Sequence, residues 1–270
     1  MNIAEVEQIG EVEAIKLGYS PVGPPLMSVY MYIIDGLLID TGQGHMRKRV
    51  IQLLEGKNLQ QIVLTHHHED HSGNAAAIGR QHNIQTFGHP LTAAKMASDF
   101  RILPYQHLIW GKSEKTALLP LDRDIETNRH RLEPVHTPGH SKDHMVFWDA
   151  ANGRLYSGDL YLGRRIKYFR TDEYIFDQID SLKKVLELDF DALFCAHNPC
   201  RKNGKSKLRQ KLQFLEDITG QVQEFKNRGM ELKTIVKHMD SGKDRWVKLM
   251  TLGNVSFANM LRSAYRSNGV

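Results

Sequence analysis

The segment Thr65-His66-His67-His68-Glu69-Asp70-His71 is the part of this 270-residue chain that says most about its fold. It follows Gln61-Ile62-Val63-Leu64, a short apolar run that predicts a buried strand. In an extended segment residues two apart point the same way, so His66 and His68 can converge on one ion, while Asp70 and His71 turn toward a second. Imidazole and carboxylate are common ligands of zinc and iron. The segment therefore predicts a metal site where a strand ends.

Other candidate ligands follow apolar runs further along the chain. Gly and Pro in His136-Thr137-Pro138-Gly139-His140 mark a tight loop. Asp159 comes after Gly153-Arg154-Leu155-Tyr156, and His197 comes directly after the apolar run 192–196. An earlier strand-like stretch, 35–42, ends in Asp40-Thr41-Gly42.

The His-x-His-x-Asp-His spacing and these four partners resemble the motifs of the metallo-β-lactamase superfamily, in the family's order, over residues 29–199. The resemblance implies an α/β fold of the four-layer αββα kind. It implies two metal ions, with Asp159 bridging them and Asp40 orienting the ligand imidazoles beside the site. The implied ligands are His66, His68 and His140 for the first ion, and Asp70, His71 and His197 for the second.

The resemblance also implies hydrolysis at a binuclear zinc centre, with iron or manganese as the alternative metals. A hydroxide bridging the ions would attack an ester, thioester or lactone carbonyl, and Asp70 would pass the proton to the leaving group. The Thr-Pro-Gly-His-Ser motif and the helical tail resemble glyoxalase II-like thioesterases and lactonases. Two alternatives remain: a metal-dependent endoribonuclease that uses a basic tail, and an iron-dependent oxidoreductase similar to persulfide dioxygenases. His68 argues against a diiron site, because the diiron pattern has glutamate there.

Composition places the chain among ordinary globular proteins, with 41% hydrophobic and 25% charged residues. It has no long apolar run and no amino-terminal export signal, which favours a cytoplasmic enzyme that acts on a small molecule without a membrane partner. Cys195 and Cys200 flank His197; a buried structural thiol is favoured over a redox pair or spare ligands.

The net charge of +5 is uneven, because residues 201–270 hold 15 Lys and Arg against 6 Asp and Glu. The basic block in this region is a solvated helix face, a site for an anionic substrate or a nucleic-acid surface, of which the first is favoured. Its members are Arg201, Lys202, Lys205, Lys207, Arg209 and Lys211.

Hydrophobic periodicity predicts alternating strands and helices, typical of an α/β layer arrangement, up to about residue 200. Helices are predicted at 46–55, 72–80 and 175–188. Beyond Pro199 a stripe of apolar residues from Leu208 to Phe225 predicts a long helix, with shorter helices at 232–239 and 257–265. We therefore divide the chain into a catalytic region, 1–204, and a helical region docked on it, 205–270.

Five residues are candidates for substrate contacts. The aromatic and apolar stretch from Tyr105 to Trp110 has no clean period and is a candidate hydrophobic wall. Tyr161, Arg164 and Arg165 lie close in sequence to the bridging Asp159. Tyr161 is a candidate oxyanion donor, and the two arginines are candidates for binding an anionic substrate.

Overall fold

The fold is built on two β-sheets, seen in a computed structural model that describes residues 2–266. The first sheet has seven strands in sequential order. They are β1 (Asn2–Ile9), β2 (Val12–Tyr19), β3 (Ser28–Ile34), β4 (Leu37–Ile39), β5 (Gln61–Val63), β6 (Gln85–Gly88) and β7 (Leu119–Pro120). Neighbours are antiparallel from β1 to β4 and parallel from β4 to β7.

The second sheet has five strands, in the order β12-β11-β10-β9-β8. They are β8 (Ile125–Glu126), β9 (Arg131–His136), β10 (Met145–Asp149), β11 (Arg154–Gly158) and β12 (Ala192–Cys195). In this sheet β11 and β12 are parallel, and the other neighbouring strands are antiparallel.

The described residues also form ten α-helices. They are α1 (Arg47–Leu54), α2 (Glu69–Ser72), α3 (Ala75–His82), α4 (Pro90–Met96), α5 (Pro104–Ile109), α6 (Ile175–Leu186), α7 (Gly204–Asn227), α8 (Leu232–Met239), α9 (Arg245–Met250) and α10 (Phe257–Tyr265). None of these helices within residues 2–266 combines the length and hydropathy needed to cross a bilayer.

Alternation along the strands creates the layers. In β3, Val29 and Met31 pack in the core beneath the first group of helices, whereas Tyr32 and Ile34 pack between the two sheets. Successive side chains of a strand point to opposite faces, so one strand contributes to both cores. A third core lies under the second sheet and includes Leu182 of α6. Helices, sheet, sheet and helices therefore form the predicted αββα sandwich.

The carboxyl-terminal helices share this third core instead of forming a separate one. Leu208 and Leu215 of α7 and Leu261 of α10 are fully buried in it, together with Leu193 of β12. The apolar stripe predicts the long helix α7. The helix begins before the stripe does, at Gly204.

Two element predictions differ from the structure. The helix predicted at 72–80 is two helices, α2 and α3, because the chain bends at Gly73 and Asn74. Asn74 uses its side-chain amide to donate to the carbonyl groups of Thr41 and Gly42, which pulls the chain out of a continuous helix. The stretch around Tyr105, which showed no clean period, contains the short helix α5.

Candidate metal centre

The predicted ligands come from segments that follow strands of both sheets. His66 and His68 lie between β5 and α2, Asp70 and His71 lie in α2 itself, and Asp40 follows the neighbouring parallel strand β4. From the second sheet, His140 lies between β9 and β10, while Asp159 and His197 follow the parallel pair β11 and β12. The carboxyl ends of parallel strands meet at one edge of a sheet, and this topology brings the loops together.

The three histidines predicted for the first ion form one buried cluster. Nδ1 of His68 lies 2.8 Å from Nε2 of His66 and 3.0 Å from Nε2 of His140. Burial, with the neighbouring histidines, holds the pKa of His66 well below its ordinary value. Neutral imidazoles that converge through unprotonated nitrogens are suited to binding one cation.

The second cluster contains Asp70, His71, Asp159 and His197. Nε2 of His197 lies 3.4 Å from Oδ2 of Asp70 and 3.3 Å from Oδ1 of Asp159. Nε2 of His71 lies 3.3 Å from the same Oδ1. The other oxygen of Asp159, Oδ2, is 3.2 Å from Nε2 of His140 in the first cluster. Asp159 therefore faces both clusters, one carboxylate oxygen to each.

Unpaired buried atoms indicate that these clusters fit metal ions. Nε2 of His71 and Oδ1 of Asp159 are buried and lie 3.3 Å apart, but neither atom makes a well-aligned hydrogen bond within the described residues. Burial alone would lower the pKa of His197, but Asp159 and Asp70 raise it to about 10. Without a metal, the His197 imidazole therefore holds a proton beside these two carboxylates, and a cation bound there would displace that proton.

Asp40 contacts one of the candidate ligand imidazoles. Its Oδ2 lies 2.7 Å from Nδ1 of His71, and it accepts a hydrogen bond of 2.8 Å from the Thr65 hydroxyl. That hydroxyl oxygen lies 3.0 Å from Nδ1 of His66. Nδ1 of His197 is 2.7 Å from the Ser28 carbonyl oxygen, which fixes the proton on Nδ1. With Nδ1 donating in these rings, Nε2 is left free to bind a metal.

Two residues that hold the ligands were not identified from the sequence. Oε1 of Glu173 lies 3.3 Å from Nδ1 of His140. His144 is fully buried, and its Nε2 accepts a hydrogen bond of 3.1 Å from the backbone N–H of Asp159. A signal existed for His144, since it lies in the same short loop as His140. Glu173 offers no local signal, because it lies far from its partner in the sequence.

His67 points away from the clusters, as its alternation with the ligands predicts. Its Nδ1 lies 2.9 Å from Oδ2 of Asp143, and its Nε2 lies 2.7 Å from Nζ of Lys95. Thr92 donates a further hydrogen bond of 2.7 Å to Asp143. His67, Lys95 and Asp143 line a cavity of about 500 Å³.

The candidate substrate wall lies partly at the metal centre. The ring of Trp110 is 6.3 Å from that of His197, centroid to centroid. The Tyr105 hydroxyl donates a hydrogen bond of 2.6 Å to Oδ1 of Asn254, which ties α5 to the turn before α10. Gln106, on the same helix, donates a hydrogen bond of 3.2 Å to the buried carboxylate of Glu69.

Tyr161, Arg164 and Arg165 lie in the core under the second sheet or along α7, and not in either ligand cluster. Tyr161 is buried in the core under the second sheet, where burial and the thiols of Cys195 and Cys200 raise the pKa of its phenol. Arg164 and Arg165 line a surface groove along α7, and Arg164 donates to Gln210 there at 3.4 Å. The substrate roles of these three residues stay predictions.

Comparison with known proteins agrees with this architecture. A family model described as the metallo-beta-lactamase superfamily matches residues 24–197. The beta-lactamase-like protein 2 homolog of Drosophila melanogaster is 25% identical over 244 residues, which cover 82% of this chain and 77% of the fly protein. A hydroxyacylglutathione hydrolase from Serratia proteamaculans is 26% identical over 218 residues, covering 76% and 77% of the two chains.

Solved structures show the same fold. A beta-lactamase domain protein from Burkholderia ambifaria superposes with a TM-score of 0.68 at 16% identity, covering 96% of this chain and 88% of the other. The family match spans all seven candidate ligands. This chain belongs to the metallo-β-lactamase superfamily.

Proposed function

We propose that this protein is a binuclear zinc-dependent hydrolase of an ester, thioester or lactone. The observation that carries the proposal is the placement of Asp159, whose two oxygens face two separate ligand clusters at 3.2 and 3.3 Å. Such a carboxylate is suited to holding two cations side by side. Zinc ions held there would lower the pKa of bound water toward about 7 and polarise the substrate carbonyl.

Asp70 is the residue we assign to proton transfer. Its side chain is buried, and its Oδ2 lies 3.4 Å from Nε2 of His197 and 3.6 Å from Nε2 of His71. Burial alone would raise the pKa of Asp70, but His71 and His197 lower it overall, so the carboxylate is ionised. An ionised carboxylate at this position can accept a proton from an attacking water and return it to the leaving group.

Binding of the acyl part is assigned to the wall formed by α5. Trp110 presents an apolar face close to His197, and the Tyr105 contact with Asn254 holds the helix in place. The similarity to a hydroxyacylglutathione hydrolase supports an acyl substrate. The wall would orient the carbonyl group over the clusters and exclude water from one side.

The basic block supports the ribonuclease alternative less in the structure than in the sequence, because part of it is buried or paired. Within the basic block, Lys211 is buried and Arg201 pairs with Glu7. Arg228, further along α7, pairs with Glu224. The persulfide dioxygenase alternative needs a single iron, whereas the Asp70, His71, Asp159 and His197 cluster supplies a second set of ligands. Both alternatives are outcomes of the experiment below.

The test measures metal content by plasma emission in protein purified without added metal, and then turnover of four substrates. They are an acyl thioester, a lactone, nitrocefin and single-stranded RNA. We expect about two zinc ions per chain, and hydrolysis of the thioester or the lactone. One iron per chain, or cleavage of RNA alone, would overturn the proposal.

The companion variant is Asp70→Ala. Loss of a proton-transfer group costs about 10² to 10⁴ in kcat, so we expect kcat to fall by at least about a hundredfold. Circular dichroism should show an intact fold. Turnover close to that of the unaltered protein would exclude the role given to Asp70.

A further inference from the structure

Lys211 is a buried cation that the sequence pattern placed in a solvent-facing basic block. Its side chain projects from α7 and is 1% exposed, between the turns that carry the buried Leu208 and Leu215. Its Nζ donates a hydrogen bond of 2.6 Å to the carbonyl oxygen of Leu160, and it makes no other hydrogen bond within residues 2–266. Leu160 directly follows Asp159.

A lysine in this setting is costly. An ammonium group has three donors, and a charge inside an apolar core is unfavourable unless it is compensated. Burial lowers the pKa of Lys211 to about 8, although Glu173 and Asp159 act in the opposite direction. Leucine or methionine would fill the same space without this cost, so packing does not explain the residue.

The hydrogen bond of Lys211 acts on the turn that carries the bridging carboxylate. The N–H of Leu160 donates to the Ser157 carbonyl at 2.9 Å, and the N–H of Asp159 donates to His144 at 3.1 Å. Gly158 has a φ of +44°, and a Cβ there would lie 2.8 Å from Nε2 of His144. The turn is therefore closely packed against His144, and Lys211 adds a hydrogen bond at its last residue, Leu160.

We propose that Lys211 is a positioning residue of the metal centre, which fixes the turn from Ser157 to Leu160 so that the Asp159 carboxylate reaches both ligand clusters. The inference rests on the proposed binuclear function. The role of Lys211 makes α7 part of the metal centre, although no candidate ligand comes from that helix. The expected signature is a variant that folds well and binds metal poorly.

The experiment replaces Lys211 with methionine and compares the metal-free protein and its titration with Co²⁺. Replacing a buried charge by an apolar side chain of similar volume is often neutral or stabilising, so the melting temperature should be unchanged or higher. We expect the Kd for the second equivalent of Co²⁺ to rise at least about tenfold, in line with the effect of removing groups that orient ligands. The Co²⁺ absorption spectrum should change as well.

Lys205→Met is the matched control. Lys205 lies on the same helix, and its Nζ donates a hydrogen bond of the same length, 2.6 Å, to the carbonyl oxygen of Leu188, away from the ligand loops. This variant should bind Co²⁺ as the unaltered protein does. A loss of affinity equal to that of Lys211→Met would show a general effect of the helix and overturn the inference.

Lys211→Gln is the second variant, in case methionine prevents folding. Glutamine is shorter and neutral, so we expect this variant of the protein to lose affinity for Co²⁺ in the same way. A Kd within about twofold of the unaltered value, in whichever variant folds, overturns the positioning role and leaves the proposed function intact. Failure of the unaltered protein to bind two Co²⁺ ions would overturn both.

Discussion

At the scale of single residues, the centre depends on side chains that hold the ligands as much as on the ligands. His71, His66 and His197 each have a fixed partner at Nδ1, namely Asp40, Thr65 and the Ser28 carbonyl. His140 has Glu173 in the same role. Each partner selects the tautomer that leaves Nε2 free for a cation, so losing one should weaken metal binding without removing a ligand.

Glu173→Gln tests this at one position. The amide preserves the shape but removes the negative charge beside His140, and such losses typically lower metal affinity about 10- to 100-fold. Competition with a chromogenic chelator measures the change. Asp177→Asn, in the first turn of α6, is the control and should leave affinity unaltered. Equal affinities in all three proteins would show that Glu173 does not orient His140.

The ligands could be predicted from sequence because their signal is local. Each follows an apolar strand-forming run, and His66, His68, Asp70 and His71 lie within a single short segment. Glu173 and Lys211 could not be found in this way, since each acts on a residue distant in the chain. In the sequence, Lys211 resembles the other members of the basic block. Only the packing of α7 against Leu160 distinguishes it from them.

At the scale of elements, α5 illustrates what periodicity misses. A helix of six residues spans less than two turns, too short for an apolar stripe to be recognised. Its position is set by tertiary contacts, including the hydrogen bond of 2.6 Å from Tyr105 to Asn254. A short helix held mainly from outside should loosen when that contact is removed.

Tyr105→Phe removes the hydroxyl and keeps the ring. We expect faster amide hydrogen exchange over residues 104–110, because a lost hydrogen bond of this kind weakens local structure by about 1 kcal/mol. If α5 is the acyl wall, KM should rise several-fold while kcat stays within about twofold, as for an interaction that contributes only to substrate binding. Tyr168→Phe, at an exposed tyrosine, is the control. Unchanged exchange would show that Asn254 does not anchor the helix.

At the scale of the whole molecule, the division at residue 204 marks a change in secondary structure within one continuous core. Leu208, Leu215 and Val222 of α7 are fully buried against the helices and strands that precede them. Burying a leucine or valine side chain contributes about 1.5 to 3 kcal/mol. A typical domain has a net stability of only about 5 to 15 kcal/mol, so the first region depends on the second.

Removing residues 205–270 should therefore prevent stable folding of residues 1–204. The apolar face of the second sheet would be exposed to water, and we expect aggregation or loss of a cooperative thermal transition. Circular dichroism during heating, with the full chain as reference, measures this. A cooperative transition in the shortened chain would establish that residues 1–204 fold independently.

The division of ligands between the two sheets also determines the order in which the ligands are synthesised. His66 to His71 leave the ribosome with the first sheet, whereas His140, Asp159 and His197 follow with the second. A nascent chain can gather the early histidines, but neither cluster is complete until the later loops have been made and paired. A metal ion held by these clusters would therefore bind late, after both sheets have been made and assembled.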